Sequence, residues 1–376
     1  MLQGYDIAVV GAGILGLAHA LAAARRGLKV LVLDKDAQAN GASIRNFGFV
    51  TVTGQQAGDC WRRAMRSRDV WAEVAPQAGI DILHSGFAML ARRPESVAVL
   101  EAFRRTEMGA ECELLDAAEA ARRFPDLCAG TPRALLWSPH ERRVESRDAI
   151  PRLAAWLAAA HGVEFRRDTL VRGVTEKGVE TADGLIPARM VVVCPNDDFL
   201  TLFPERIAAQ GVTKCKLHML RLANPGFRLP GAVMSDLGLV RYLGYSELPE
   251  AEALRPVLLA EQKAQLDNGI HLIVVQSADG SLVVGDSHHY GATPHPFAPE
   301  EVDRLILEEF QAALGIAPPP VLERWTGIYP SAPDKLMFRD APAGNIRLVM
   351  VTSGTGASTS FAIAEETLAE LHGEPA

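Results

Sequence analysis

Asp6-Ile-Ala-Val-Val-Gly11-Ala-Gly-Ile-Leu-Gly16 is followed, after an alanine-rich stretch ending at Arg25-Arg26-Gly27, by Leu28-Lys-Val-Leu-Val-Leu-Asp34. The two apolar runs have the unbroken character of strands buried on both faces of a parallel sheet. The stretch between them reads as a helix opened by a glycine turn and stopped at Gly27. Asp34 stands 18 residues past Gly16, at the end of the second strand. Strand, G-x-G-x-x-G, helix, strand and acid together predict a dinucleotide site. Gly11 makes the turn, Gly13 lets backbone approach a pyrophosphate, and Gly16 lets the helix pack on the sheet. Ile14 and Leu15 open the helix whose N-terminal amides face the phosphates. Asp34, with Lys35 beside it, ends on the adenosine ribose, which favours a cofactor without a 2′-phosphate.

A chain of 376 residues exceeds one small core, and two domains are expected at roughly 100 to 200 residues each. Val191 to Cys194, followed by Pro195-Asn196, reads as a buried strand rejoining the first sheet. From Thr213 to Gly291, runs such as His271 to Gln276 and Ser281 to Val284 alternate with turns and predict a mainly antiparallel sheet. Helices are expected over 95–109, 147–161, 299–314 and 358–371. The fold class is therefore α/β with an α+β second domain: a Rossmann-like domain formed by 1–85, 147–212 and 320–376, interleaved with a substrate domain formed by 86–146 and 213–319.

With 48% hydrophobic residues, 22% charged residues and a net charge of −8, the composition is that of a globular enzyme. It offers no electrostatic footprint for nucleic acid or an anionic membrane. Five cysteines without a C-x-x-C pair suggest neither a disulfide framework nor a zinc site, and no metal is expected. Glycines interrupt the apolar stretch from Ile7 to Ala24, and an aspartate precedes it, so it is not a signal peptide. No membrane span and a cytoplasmic location are expected.

Past the dinucleotide motif, the sequence resembles the D-amino-acid oxidase superfamily of FAD-dependent oxidoreductases, in its glycine oxidase and sarcosine oxidase branch. Three segments carry the resemblance: Asn40-Gly-Ala-Ser-Ile-Arg-Asn-Phe-Gly48, Trp325-Thr-Gly-Ile-Tyr-Pro-Ser-Ala-Pro-Asp334 and Thr352-Ser-Gly-Thr-Gly-Ala-Ser358. It implies that Ala42, Ser43, Arg45, Asn46 and Gly48 run along the flavin and that Val171 sits at the adenine. It places Gly354, Thr355, Gly356, Ala357 and Ser358 at the pyrimidine end, where positive potential stabilises charge on the reduced ring. Members that tether the flavin use a cysteine in the stretch equivalent to Trp325–Asp334. This chain has none there, so non-covalent FAD is expected.

Departures from the family pattern bear on the substrate. Where glycine and D-amino-acid oxidases place an arginine that forks the substrate carboxylate, this chain has Tyr329. A lysine of the sarcosine-oxidase-like C-terminal segment is also absent, with Ser358 near its place, and a lysine that assists oxygen there is replaced near Val283. The whole resembles a bacterial subgroup associated with phosphonate breakdown, carried by Val193-Cys-Pro-Asn-Asp-Asp-Phe199 and by Ala278 to Gly291 with its Asp-Ser-His-His-Tyr run. That implies 2-aminoethylphosphonate or its N-methyl derivative as substrate, phosphonoacetaldehyde as product and O2 as electron acceptor. A phosphonate needs several donors, and the candidates are Arg45, Asn46, Arg241, Tyr242, His288, His289, Tyr290 and Tyr329. No catalytic acid or base is assigned. The alternatives are a glycine, sarcosine or D-amino-acid oxidase or dehydrogenase, and a flavoprotein subunit of an electron-transfer complex.

Overall fold

The computed structural model describes residues 4–374. The Tyr5–Val10 strand pairs in parallel with Val30–Leu33 on one side and Gly184–Val193 on the other. The sheet extends in parallel through Ile346–Val351 and Glu164–Arg166 and closes with the antiparallel strand Met337–Ala343. One face is covered by the helices Ile14–Arg25, Asp59–Gln77, Ser146–His161 and Gly356–Leu371, which bury Leu17, Leu21, Trp71, Leu153, Phe361 and Leu368 against it. Each such side chain contributes about 1.5–3 kcal/mol by leaving water. Gly16 is obligatory here, because a Cβ would stand 1.8 Å from the Gly11 carbonyl oxygen.

A second, ten-stranded sheet is antiparallel apart from the pairing of Ala232–Ser235 with Ile82–Ala91. At one end Thr213–Leu222 pairs with Val321–Ser331 along one edge, and with Leu282–Gly285 and His289–Gly291 along the other. Helices Pro94–Phe103, Ala251–Glu261 and Glu300–Leu314 pack into its core. The five cysteines are free thiols, buried apart from the half-buried Cys128, and among the described residues no helix is long and apolar enough to cross a membrane.

The mixed α/β architecture follows the sequence reading, but strand pairing moves its seams. Ile82–Ala91 runs across the expected boundary at 85, and Val321–Ser331, assigned to the nucleotide domain, belongs to the second sheet. The helix Asp59–Gln77 was not expected. It is rich in arginine, and its stability comes from partners distant in sequence: Arg63 pairs with Glu366 at 2.8 Å and Arg66 with Glu365 at 2.7 Å on the C-terminal helix. The span 213–291 holds three helices besides its strands, and the helix expected over 95–109 ends at Phe103.

Candidate active site

A cavity of about 540 Å³ runs between the two sheets, past the C-terminal ends of Tyr5–Val10 and Gly184–Val193. That is where open parallel sheets bind ligands. At one end lie Asp34, Lys35 and Val171. Asp34 Oδ2 accepts the Ala12 N–H at 2.6 Å, and Oδ1 accepts the Asp36 N–H at 2.9 Å. The carboxylate therefore braces the glycine turn and still has about two lone-pair sites to spare. Lys35 is tied to Asp198 at 2.9 Å, and this pair lifts its ammonium pKa.

The middle of the cavity is bounded by Gly11, Gly13, Ile14, Leu15 and the 40–46 loop. Ser43 Oγ accepts the Ile14 N–H at 2.9 Å and so caps the first helix from outside it. A Cβ on Gly13 would meet that oxygen at 2.9 Å. Gly354 to Ser358 line the cavity at the N-terminus of Gly356–Leu371. The amides of Gly356 and Ala357 belong to the first turn, which no intrahelical bond can satisfy. Two helix N-termini thus present donors and positive potential to one cleft. Trp71, on the unexpected helix, donates its Nε1–H to the Ala357 carbonyl at 2.9 Å and holds this turn in place.

The far end is polar. Arg241, Tyr242, His271, Asp286, His288, Tyr290 and Tyr329 line it. Arg241 donates to Tyr290 Oη at 3.0 Å. Asp286 lies between two imidazoles, with Oδ1 3.4 Å from His271 Nδ1 and Oδ2 3.6 Å from His288 Nε2. Burial pushes the Asp286 carboxyl up to about 7, against the pull of Arg241. Burial, reinforced by Arg241, holds His271 and His288 well below the usual imidazole range. Burial likewise raises the Tyr242 and Tyr329 phenols.

The structure gathers most of the expected residues along this cavity but moves three away from the role read for them. His289 is absent from its lining: strand alternation turns it from His288 and Tyr290 towards His218, at 5.5 Å between ring centroids. Asn46 borders the cavity, yet its side chain is committed to loop structure, donating to Ala42 O at 2.7 Å and accepting from the Gly48 N–H at 2.7 Å and the Ser146 hydroxyl at 2.8 Å. Gly48 does not line it either; Gly16, also off the lining, serves the helix packing read for it. Gly48, at φ +67°, is needed because a Cβ would lie 1.7 Å from the Val144 carbonyl oxygen. Arg45 is held by Asn40 Oδ1 at 2.9 Å. Sequence reasoning missed His271 and Asp286 as site residues. The spacing of Asp286, His288 and Tyr290 at every second position was the available signal for one of them. The expectation of no metal meets a qualification here: one ligand atom each from His271, Asp286 and His288 lies within 4.8 Å of the others.

The family model described as FAD dependent oxidoreductase (DAO) matches residues 6–371. The bifunctional protein ThiO/ThiG of Nostoc sp. (strain PCC 7120 / SAG 25.82 / UTEX 2576) is 26% identical over 352 residues, which is 88% of this chain and 47% of that protein. Monomeric sarcosine oxidase of Bacillus sp. (strain B-0618) is 24% identical over 197 residues, half of each chain. The chain thus spans about half the length of the curated relatives it matches. Glycine oxidase from Bacillus cereus ATCC 14579 superposes with a TM-score of 0.77 at 17% identity, covering 99% of this chain and 96% of that one. L-proline dehydrogenase from P. horikoshii also gives 0.77, at 20% identity, covering 100% and 95%. At these identities the structural likeness speaks for the fold.

Proposed function

The chain belongs to the DAO family of FAD dependent oxidoreductases, and from that premise we propose that it oxidises a small amine bearing an anionic group at its other end. The cavity suits FAD: a ribose acceptor at Asp34, a glycine turn and two helix N-termini for the pyrophosphate and pyrimidine ends, all along one cleft. When bound, FAD supplies a two-electron acceptor for hydride from the carbon next to nitrogen. Asp34, Gly11, Gly13, Ile14, Ser43 and Gly354 to Ser358 would hold it, without a covalent bond.

The observation that carries the substrate assignment is the donor set at the polar end. Arg241 and Tyr290, joined at 3.0 Å, stand with Tyr242 and Tyr329 around one pocket. A carboxylate is satisfied by one bidentate guanidinium, whereas a phosphonate has three oxygens and up to two charges and suits a ring of donors. We therefore favour 2-aminoethylphosphonate or its N-methyl derivative, oxidised to phosphonoacetaldehyde with release of ammonia or methylamine and with O2 as acceptor. The residues orient the amine, and the cavity walls limit water around it.

Glycine or sarcosine is the second reading, favoured by the fact that Arg241 is a single guanidinium able to fork a carboxylate. An anaerobic bleaching screen of the flavoprotein separates the two. Reduction by aminoethylphosphonates at concentrations where glycine and sarcosine do nothing is the expected result. Preferential reduction by the carboxylates would overturn the phosphonate assignment, and reduction by none of them would overturn amine oxidation.

A further inference from the structure

The Asp286 cluster holds a buried carboxyl between two imidazoles. His288 Nδ1 lies 2.8 Å from the Gly269 carbonyl oxygen, which can only accept, so this nitrogen carries the ring's hydrogen. In the neutral ring, Nε2 then directs a lone pair at Asp286 Oδ2, 3.6 Å away. On the other side, Asp286 Oδ1 and His271 Nδ1 are buried 3.4 Å apart, and neither has a hydrogen-bond partner among the described residues. Asp286 and His271 are 5% and 2% exposed, so bulk water does not relieve them. Buried polar groups left in this state are costly, and a cationic donor in the cavity would relieve Asp286. The other ionisable groups acting on it are Arg241, Tyr242, Cys215 and His289. Among these only Arg241 is charged near neutral pH, and a cation cannot receive a proton.

All three residues face the cavity proposed to receive an amine. Such an amine arrives as an ammonium, which must lose a proton before hydride can leave the adjacent carbon. An alkylammonium resembles lysine, with a pKa of about 10.4, so only about one molecule in 2,500 is neutral at pH 7.

We propose that Asp286, held between His271 and His288, is the catalytic residue that takes the proton of the substrate ammonium. This rests on the amine part of the functional reading and not on the phosphonate. The proton passes from nitrogen to a carboxylate oxygen, giving a neutral amine and a carboxylic acid beside the two imidazoles, with no change in oxidation state. Bound FAD would supply the acceptor for a hydrogen and both bonding electrons from the amine carbon, and the nitrogen lone pair freed by Asp286 would close the C=N bond. Water adds to the resulting iminium and the nitrogen leaves. A base whose pKa lies near the working pH suits this transfer, and such groups typically contribute about 10²–10⁴-fold.

The test uses the flavin-loaded enzyme and amines whose α-carbon carries no hydrogen, 2-amino-2-methylpropylphosphonate and 2-aminoisobutyrate. Calorimetry in buffers of different ionisation enthalpy counts the protons released on binding. In the wild type, about one proton per ligand should be released below the Asp286 transition near pH 7 and almost none above it. Asp286→Asn should abolish that step, as should Asp286→Ser if the amide variant does not fold. In anaerobic flavin reduction by the parent amine, the same variants should lose about 100- to 1000-fold at pH 7 and recover as the pH approaches the pKa of the amine. Binding without a proton step in the wild type, or a step that survives in both variants, overturns the proposal alone. So does stoichiometric zinc in the purified protein that is lost with Asp286, which would make the cluster a metal site. If neither analogue binds, the amine reading falls and takes this proposal with it.

Discussion

Replacing Asp34 by alanine isolates the link between the glycine turn and the nucleotide. Its carboxylate already accepts the Ala12 N–H at 2.6 Å and the Asp36 N–H at 2.9 Å, which fixes its direction. The remaining lone pairs can accept from ribose hydroxyls, and a hydrogen bond to a charged group is worth about 1.5–3 kcal/mol. Loss of one such bond weakens FAD binding by about 10- to 150-fold. Titration of the apoprotein with FAD, followed by flavin fluorescence, measures this directly. Denaturant unfolding of the same apoprotein reports the separate cost of leaving the Ala12 amide without its partner, about 1 kcal/mol for a half-buried site. Asp34→Asn keeps one acceptor oxygen but loses the charge, and should fall between wild type and alanine. An alanine variant whose FAD dissociation constant stays within about twofold of wild type would refute the ribose role.

Four further outcomes are expected. Arg241→Met should raise the dissociation constant of an anionic amine by about 10- to 100-fold while leaving FAD affinity and neutral amines unaffected; equal losses for charged and neutral amines would argue against an anion site. Trp71→Phe removes the indole bond to Ala357 O while keeping a ring against Phe361, now 5.2 Å away between centroids. It should cost about 1 kcal/mol in denaturant unfolding, and unchanged stability would show that this bond does not hold the turn. The Asp286 carboxyl is raised from 3.8 to about 7 in the folded chain. The folded state therefore prefers it protonated, and stability falls as pH rises through that window. Asp286→Asn should accordingly stabilise the protein at pH 8, by at most roughly 4 kcal/mol, with the gain vanishing towards pH 4; a gain of equal size at both pH values would contradict the shift. Finally, acid precipitation should release all flavin into the supernatant, and yellow colour retained in the pellet would show a covalent bond.

The first sheet and the cofactor cleft were legible because their determinants are local. The apolar run 6–10, the glycines at 11, 13 and 16 and the acid at 34 fix strand, turn, helix and strand within a few residues of one another, and the paired strands fall where those residues require. The helix Asp59–Gln77 was not legible, because its arginines signal an exposed surface until Glu365 and Glu366 arrive from the other end of the chain. The same holds for the seam at Val321–Ser331, whose sheet is chosen by the partner strand Thr213–Leu222 and not by its own pattern.

At the site, residue type and order were enough to nominate Arg241, Tyr242, His288, Tyr290 and Tyr329. They were not enough to turn His289 away or to bring His271 and Asp286 to 3.4 Å. Sequence alone determined that this chain builds a dinucleotide cleft, since that depends on backbone conformation and on which residues permit it. Tertiary structure decided what faces the substrate. Strand alternation and the meeting of segments distant in the chain set which ionisable groups lose water together, and burial together is what makes Asp286 differ from an ordinary aspartate.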